Sequence, residues 1–419
     1  MNSPSPIYSG RIAYLTSQYP ATSHTFIRRE IAAVRALGLS LETFSIRPPA
    51  EDELRAEEDR REAKTTYTLL ARPKRDFVVA HIRQLFRRPG AYARTFLLAL
   101  SHRPPGVRSG FLAVAHFGES ILLADELQRR KIIHLHNHFA NSGATVGFLA
   151  SRHAGIKWSF TIHGISEFDY PAGLNLPAKV AAANFVACVS YFGRAQAARV
   201  VDTHHWPKLS IVRCGLELDR LPIPACGAGS EVRMIFVGRL SPEKGISGLL
   251  QAMCSMKTDV CPKLAILGDG PLRADLEKER DALGLADRVE FLGRLTEAET
   301  LAEIAASDLL VLPSFMEGLP IVLIEALALG IPVIASRVAG IPELVEDGRT
   351  GLLFSASDWS ELAAALDRLI GDRKLRKLFA KNGPVRIAEE FDVRNSAIRL
   401  RDLFLSAARS EAIPPARPA

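Results

Sequence analysis

Short apolar runs alternate along this chain with stretches whose apolar residues recur at helical spacing. The first half opens on an apolar run at 12–15, passes a loop rich in Ser, Thr and Pro, and enters a helical pattern over about 25–37 closed by Gly38. A strand over about 40–46 follows at once, completing the strand, helix, strand unit from which parallel sheets are built. Further strands are predicted at 132–136, 157–163, 185–190 and 209–213, mostly with helical stretches between them. Between 216 and 230 the pattern breaks at Pro222, Pro224, Gly227 and Gly229, which are turn and linker residues. This break bounds a first domain at 1–228. The alternation then restarts, with strands predicted at 233–237, 263–267, 289–292, 309–312 and 332–335 and helices over about 245–256, 272–283, 297–306 and 320–329. Helical C-terminal segments follow. A second domain is placed at 229–390, and 391–419 reads as a C-terminal helix, over about 395–408, able to cross back to the first domain, followed by a disordered tail. The expected fold class is α/β, two doubly wound, Rossmann-like domains facing a central cleft, since such sheets bind ligands at their carboxyl ends.

At 419 residues and 45.8 kDa the chain exceeds what one core usually organises, which agrees with two domains. With 47% hydrophobic and 24% charged residues it has the composition of an ordinary globular protein. The cysteines Cys188, Cys214, Cys226, Cys254 and Cys261 are odd in number and scattered, so neither a disulfide framework nor a zinc knuckle is indicated. A reducing cytosol fits them best. The N-terminus lacks a basic segment followed by an apolar one, so no signal peptide is read and a cytoplasmic location is expected. Two stretches without Lys or Arg, at 132–151 and at 318–336, read as buried strand and helix pieces rather than membrane spans. Residues 1–228 hold 29 basic and 18 acidic residues, against 24 and 28 in 229–419. That asymmetry points the first domain at an anionic partner, whether nucleic acid, phospholipid or a phosphate-bearing substrate. No nucleic-acid-binding motif is present, so nucleic acid is not expected.

The sharpest chemical signal is PSFMEGLPIVLIEALALGIPVIAS. A strand ends at Pro313, Glu317 sits in the following loop, and Pro320 occupies the first turn of a helix ended by Gly330. The backbone N–H groups of Gly318, Leu319 and Ile321, around Pro320, then lie at the positive end of a helix, a site for phosphate or a polyol oxygen. Glu317 lies outside that helix and Glu325 inside it, so two carboxylates reach different parts of one extended ligand. Ionised glutamates accept hydrogen bonds from vicinal hydroxyls, which suits a sugar and a ribose. The plainer alternative makes Glu317 a helix cap and Glu325 a surface residue, although the helix is otherwise apolar. In FVGRLSPEKG, Arg239 and Lys244 lie on a loop after a strand and suit a diphosphate. In LGDGPLRADL, Gly268 and Gly270 flank Asp269, but Arg273 fills the last glycine position of a dinucleotide fingerprint, which argues against a nicotinamide cofactor.

These strings, with FLGRL and GIPELVEDGRTGLLF, resemble in order and spacing the retaining glycosyltransferases of the GT-B fold, particularly the large fourth family, glycosyl transferases group 1. The resemblance covers nearly all of 232–356. It implies that Arg239 and Lys244 hold a donor diphosphate, that Glu317 touches the transferred sugar, that Glu325 binds the ribose, and that the loop with Arg294 and Leu295 borders the base. His163, in FTIHG, matches the family histidine near the sugar and leaving phosphate. Its plainer reading is a satisfied histidine at the edge of the cleft. Charge building on the departing diphosphate would be stabilised by the cations and the helix end, so no cofactor and no metal are expected; the donor would be a UDP or GDP sugar. The chain also lacks the D-x-D pair of metal-using transferases. The opening YLTSQYPATSHTFIRREI lacks the Gly-Gly pair common in the family's first loop but resembles the version in bacterial exopolysaccharide transferases. This puts Ser23 and His24 on the acceptor side, with a loop-to-helix cap as the equal alternative. The implied acceptor is an oligosaccharide or polyprenyl-diphosphate-linked chain.

HLHNHFA places His134, His136 and His138 on one face of a strand. Metal binding is set aside because no acidic or Cys partner is nearby, and His136 and His138 are assigned to a strand end opening onto the acceptor. Residues 72–110 hold nine Arg or Lys against one acid, interleaved with Phe77, Val78, Val79, Ile82, Leu85 and Phe86. This suits either an anionic membrane surface or a solvated helix face. The rival readings are a non-catalytic sugar- or nucleotide-binding relative, which would have lost Glu317, Lys244 or Arg239, and an epimerase or phosphorylase on the same fold.

Overall fold

The computed structural model describes residues 10–21, 24–54, 56–164, 166–223, 231–258 and 260–409. The chain divides into two compact units, residues 1–213 with 396–419, and residues 214–395.

The first unit runs β1 (Arg11–Gln18), α1 (Thr25–Ala36), β2 (Ser40–Arg47), α2 (Glu57–Thr65), β3 (Tyr67–Thr68), α3 (Lys74–Arg87), α4 (Pro89–Ser101) and α5 (Val107–Arg129). It continues with β4 (Ile132–His138), α6 (Ser142–Ala154), β5 (Lys157–Ile162), α7 (Ser166–Asp169), α8 (Pro171–Leu174), α9 (Leu176–Ala182), β6 (Val186–Cys188), α10 (Tyr191–Ala198) and β7 (Leu209–Ile211). The strands form one parallel sheet in the order β3-β2-β1-β4-β5-β6-β7. Side chains alternate across β1. Ala13 and Leu15 enter a core with Leu135, Phe160, Ile121 and Leu149, while Ile12 and Tyr14 enter another with Ile27, Ile31 and Val34 of α1. Both faces of the sheet are thereby covered, which is why its strands read as near-continuous apolar runs.

The second unit runs β8 (Arg233–Val237), α11 (Ile246–Cys254), β9 (Lys263–Leu267), α12 (Arg273–Ala282), β10 (Val289–Gly293), α13 (Glu297–Ala305), β11 (Leu309–Leu312) and α14 (Ile321–Ala328). Then come β12 (Val333–Ser336), α15 (Ile341–Leu344), β13 (Gly351–Phe354), α16 (Trp359–Gly371) and α17 (Arg373–Glu390), before α18 (Val393–Arg409). Its parallel sheet has the order β10-β9-β8-β11-β12-β13. The chain therefore reverses its direction of growth between β8 and β11, as it does in the first unit between β1 and β4. Loops at such a switch point diverge and leave room for a ligand.

Three expectations need correction. The division falls at 213/214 rather than 228/229, because Leu216 exchanges backbone hydrogen bonds with Phe391 and Val393, and Gly215 packs against the Val393 backbone. A Cβ on Gly215 would collide there. The second unit likewise runs to 395 rather than 390, and residues 397–407 of α18 join the first unit's core through Ala397, Leu400, Phe404 and Ala407. The helix expected from Pro320 begins at Ile321, since Pro320 is extended at the N-cap with ψ 117°.

Among the described residues, α5 is the one helix long and apolar enough to cross a membrane. Its second half, through Phe117, Ile121, Leu123 and Leu127, belongs to the first unit's core. Cys188, Cys254 and Cys261 are free thiols; Cys226 lies outside the described residues.

Candidate functional site

In the second unit the loops after β8 and β11 flank the switch point, and they are tied together across it. The Lys244 ammonium donates to Glu317 Oε1 at 2.6 Å, and Ser314 Oγ donates to the same oxygen at 2.7 Å. Both side chains are mostly shielded, with 19% of Lys244 and 9% of Glu317 exposed, so the pair is an ion pair held in low dielectric rather than a solvated contact. The backbone adds a bond from Phe315 N to Glu243 O at 2.8 Å, and Gly340 N donates to Gly318 O at 3.1 Å, bringing in the loop after β12. Gly245 makes the first approach feasible. At φ +65° it ends the 3-10 turn carrying Lys244, and a Cβ there would collide with Pro313 O.

Glu317 and Lys244, read from sequence as serving different parts of a donor, thus touch each other. The bonds from Lys244 and Ser314 both land on Glu317 Oε1, which among the described residues leaves Oε2 for a hydroxyl. Just beyond, Gly318, Leu319, Pro320 and Ile321 lead into the N-terminus of α14, where the N–H groups of Ile321 and Val322 precede the first bond of the helix, from Leu323 N to Pro320 O at 3.1 Å. Glu325, in the second turn of α14, is buried, which rules out the ordinary surface residue.

The loop after β9 packs against the loop after β8. Gly238 N donates to Leu267 O, Leu240 N to Asp269 O and Leu272 N to Leu240 O, each at 3.0 Å. Gly268, at φ +137°, has no room for a Cβ beside Gly238 O, and Gly270 has none beside Leu240 O. These two glycines therefore serve close backbone approach between loops. Arg239, at the exposed tip of the first loop, and Arg294, whose Nε lies 3.9 Å from Asp269 Oδ2, frame the same sheet edge, with half-buried Leu295 beside Arg294.

In the first unit, the carboxyl ends of β1, β4 and β5 gather His24, His138 and His163. His24 Nδ1 lies 3.2 Å from Gln18 O, and its ring is 5.3 Å from Phe139, which is 4.7 Å from the His163 ring. His163 Nε2 lies 2.9 Å from His138 Nδ1. Burial, then the neighbouring His138 and His24, push the His163 pKa well below the ordinary imidazole value, so the ring is neutral at physiological pH. Ser23 lies outside the described residues.

His136 and His138 do not open onto an acceptor. Both are fully buried, because Phe404 of α18, Phe185 and Tyr14 close over that face of β4. His136 is satisfied at both ring nitrogens, by Ser159 Oγ at 2.7 Å and Thr161 Oγ1 at 2.9 Å. The statement that no acid lies near these histidines is also corrected. Glu30 of α1 comes within 4.8 Å of ligand atoms of His136 and His138. Its position was legible: Glu30 falls three residues after Ile27 and one before Ile31, on the apolar stripe of α1.

Sequence reasoning also missed the support behind His163. Glu167 Oε2 accepts from His163 N at 2.7 Å and Gly164 N at 2.9 Å, and its other oxygen accepts from Ala140 N. Buried Lys179 donates to Ala140 O at 2.7 Å and Asn141 O at 3.0 Å. Burial lowers the Lys179 pKa to about 7 against the opposing pull of Glu167. No local pattern marks Lys179, which acts on a loop distant in sequence, whereas Glu167 binds both the adjacent His163 and Gly164 and the distant Ala140.

Residues 228–386 match the family described as glycosyl transferases group 1. The chain is 34% identical over 173 residues to the alpha-D-kanosaminyltransferase of Streptomyces kanamyceticus, an alignment covering 41% of this chain and 45% of that protein. It is 35% identical over 167 residues to the putative colanic acid biosynthesis glycosyltransferase WcaL of Salmonella typhimurium, covering 38% and 41%. The chain thus spans less than half the length of these two relatives. Among solved structures, HepE of Anabaena in complex with UDP has the same fold, with a TM-score of 0.73 over 94% of this chain and 100% of that one at 20% identity. The matched segment contains Arg239, Lys244, Gly268, Gly270, Glu317 and Glu325, the residues gathered at the edge of the second sheet. Residues 228–386 are thus the part of this chain that is similar to the glycosyl transferases group 1.

Proposed function

We propose that this chain is a glycosyltransferase that moves a hexosyl group from a nucleoside diphosphate sugar, of UDP or GDP type, to an oligosaccharide or polyprenyl-diphosphate-linked acceptor. The observation that carries this reading is the shielded Lys244–Glu317 pair at the switch point of the second sheet, beside the N-terminus of α14. A cation, a carboxylate with one open oxygen and the first backbone donors of a helix match the three parts of such a donor: diphosphate, sugar hydroxyls and the bond between them. When the C1–O bond to the diphosphate breaks, negative charge builds on the leaving phosphate, and Lys244, Arg239 and the helix end stabilise it. Those positive groups make transfer independent of a metal. Glu325 binds the ribose, Arg294 and Leu295 border the base, and His163 lies near the transferred sugar, with retention of anomeric configuration as in the family. His24 stands on the acceptor side.

The likeness to WcaL supports a place in exopolysaccharide synthesis. The surface of α3, α4 and α5 suits the cytoplasmic face of a membrane. Helix α3 is inside out: it buries Gln84, bonded to Asp125 and Gln128, and exposes Val78, Ile82 and Phe86, the last at 81%. Leu97 and Phe111 are exposed on the neighbouring helices, and Lys74, Arg75, Arg87, Arg94 and Arg108 stand among them. Apolar side chains ringed by cations suit an anionic lipid surface.

Nucleotide release from UDP- and GDP-hexoses in the presence of EDTA tests the catalytic reading. Turnover without metal is expected, with Lys244→Met lowering kcat on the order of 100-fold. Equal turnover in that variant would overturn the assignment of the site.

A further inference from the structure

We infer that Phe139, with Phe26 beside it, is an aromatic platform on which a pyranose ring of the acceptor lays its C–H face. This deepens the acceptor reading given above and rests on it. The backbone is the first observation. Phe139 follows the last residue of β4 at φ +68°, the one aromatic residue among those described with a positive φ. In that left-handed conformation the Cβ crowds the following carbonyl, so a phenylalanine is held there only by its surroundings. Side chains alternate along β4: Leu135 belongs to the core with Trp158 and Phe160, whereas His134 and His136 face Phe185 and Phe404 on the other side. Continued alternation would send residue 139 to the side of Leu135. The Phe139 ring lies instead on the side of Phe26, where both pack against the cluster of Ile27, Ile31 and Phe404. The turn is held on both sides. Phe139 N donates to Thr161 O at 2.9 Å, Glu167 accepts from Ala140 N, and buried Lys179 donates to Ala140 O and Asn141 O. These bonds offset the strain and tie the turn to the loop that carries His163, since the N–H groups of His163 and Gly164 donate to the same Glu167.

The surroundings name the ligand. Phe26 and Phe139 stand 6.5 Å apart at 78°, and the His163 ring lies 4.8 Å from the first and 4.7 Å from the second. His24 adds a fourth ring, 5.3 Å from Phe139. All four are half-buried rather than enclosed. An aromatic ring carries partial negative charge on its face and the axial C–H groups of a pyranose carry partial positive charge, so the two stack while the sugar hydroxyls point to the rim. Covering the core asks for an apolar side chain, not for a ring in a strained conformation. A nucleotide base also stacks on such rings, but the base has its place beside Arg294 and Leu295 in the second unit. The hexosyl group of the donor offers the same C–H face; the closeness of Phe139 to His24, on the acceptor side, favours the acceptor.

The test uses the full chain with ring-13C phenylalanine, the Phe139 signals assigned through Phe139→Trp. It is titrated with the methyl pyranosides of glucose, galactose and mannose and, as a control, with sorbitol, which has the hydroxyls without the ring. At least one pyranoside is expected to shift the Phe139 and Phe26 signals saturably, and sorbitol to shift neither. Glycine accepts the left-handed backbone, so Phe139→Gly keeps the turn and removes the ring. There the Kd read at Phe26 is expected to rise at least about tenfold, whereas Phe139→Trp keeps it within about threefold. No shift with any pyranoside, an equal shift with sorbitol, or a Kd indifferent to Phe139→Gly would overturn the inference. Should Phe139→Gly not fold, proton–proton contacts between the pyranoside and the Phe139 ring of the native chain decide, their absence being equally fatal. Titration with UDP-glucose and GDP-mannose separates the two sources. Contacts of Phe139 with the hexosyl protons of the donor, and none with the free pyranosides, would give the platform to the transferred sugar and overturn the acceptor assignment. Binding needs no turnover, so the two readings fail separately. Pyranoside binding at Phe139 in a chain that releases no nucleotide from UDP- or GDP-hexoses would remove the transferase reading and keep the sugar platform. Nucleotide release without pyranoside binding would remove the platform alone.

Discussion

At His134 an imidazole is fully enclosed by protein. It is fully buried, its Nε2 2.7 Å from Ser159 Oγ, and it meets the Phe404 ring edge-on at 4.9 Å. Burial, with Lys157 adding to it, pushes its pKa down to about 3. The unfolded chain has the ordinary value of about 6.5, so between these two values the unfolded state binds more protons and stability falls as pH falls. From pH 6.5 to pH 5 this one residue removes about 2 kcal/mol. The variant His134→Leu is expected to flatten that acid limb in urea unfolding followed between pH 7 and 5. An unchanged pH dependence would show that the ring stays solvated. The same residues mark what was legible at this scale. Alternation of His134, His136 and His138 placed them on one face of a strand; what hid their burial is Phe404, which arrives from the far end of the chain. Glu317 and Lys244 were both legible as chemistry, whereas their direct contact required the loops after β8 and β11 to be neighbours.

At the scale of elements, the second unit was the more readable. Strands β8, β9 and β11 lie within the spans read from apolar runs, because each is buried on both faces and bounded by polar or glycine-containing loops. Strand β13, Gly351–Phe354, was not separated from its surroundings: four residues at the end of a loop carry too little pattern. The two-residue β3 is shorter still. Glycines that end turns divide into those that need only a left-handed backbone and those that also need space. Gly284, at φ +68° with nothing near its absent Cβ, is of the first kind; Gly245, facing Pro313 O, is of the second. Gly284→Ala is therefore expected to cost about 1–2 kcal/mol and Gly245→Ala distinctly more, with thermal unfolding as the measure. Gly245→Ala should also weaken donor binding, because relieving the clash moves Lys244 away from Glu317. Equal destabilisation by the two would mean that the loops after β8 and β11 are not held in contact.

On the scale of the whole molecule, no local signal located the division of the chain. The turn-rich stretch near 216–230 drew the boundary toward itself, while pairing of Leu216 with Phe391 and Val393 sets it earlier. The basic character of the first half was visible in composition, but its meaning depends on which side of α3 faces outward. If Phe86 and Phe111 rest on lipid, Phe86→Asp with Phe111→Asp should abolish co-sedimentation with phosphatidylglycerol vesicles while leaving nucleotide release intact. Binding retained by the double variant, or equal binding to neutral vesicles, would remove the membrane from the account. The central claim is that the edge of the second sheet receives a nucleoside diphosphate sugar. It is tested most directly by calorimetric titration of UDP and GDP into the native chain and into Glu325→Ala, with EDTA present. The account predicts that one nucleotide binds without metal and that Glu325→Ala loses at least about tenfold in affinity, a buried charge-assisted hydrogen bond being worth about 1.5–3 kcal/mol. Binding of neither nucleotide, or binding indifferent to Glu325, would contradict it.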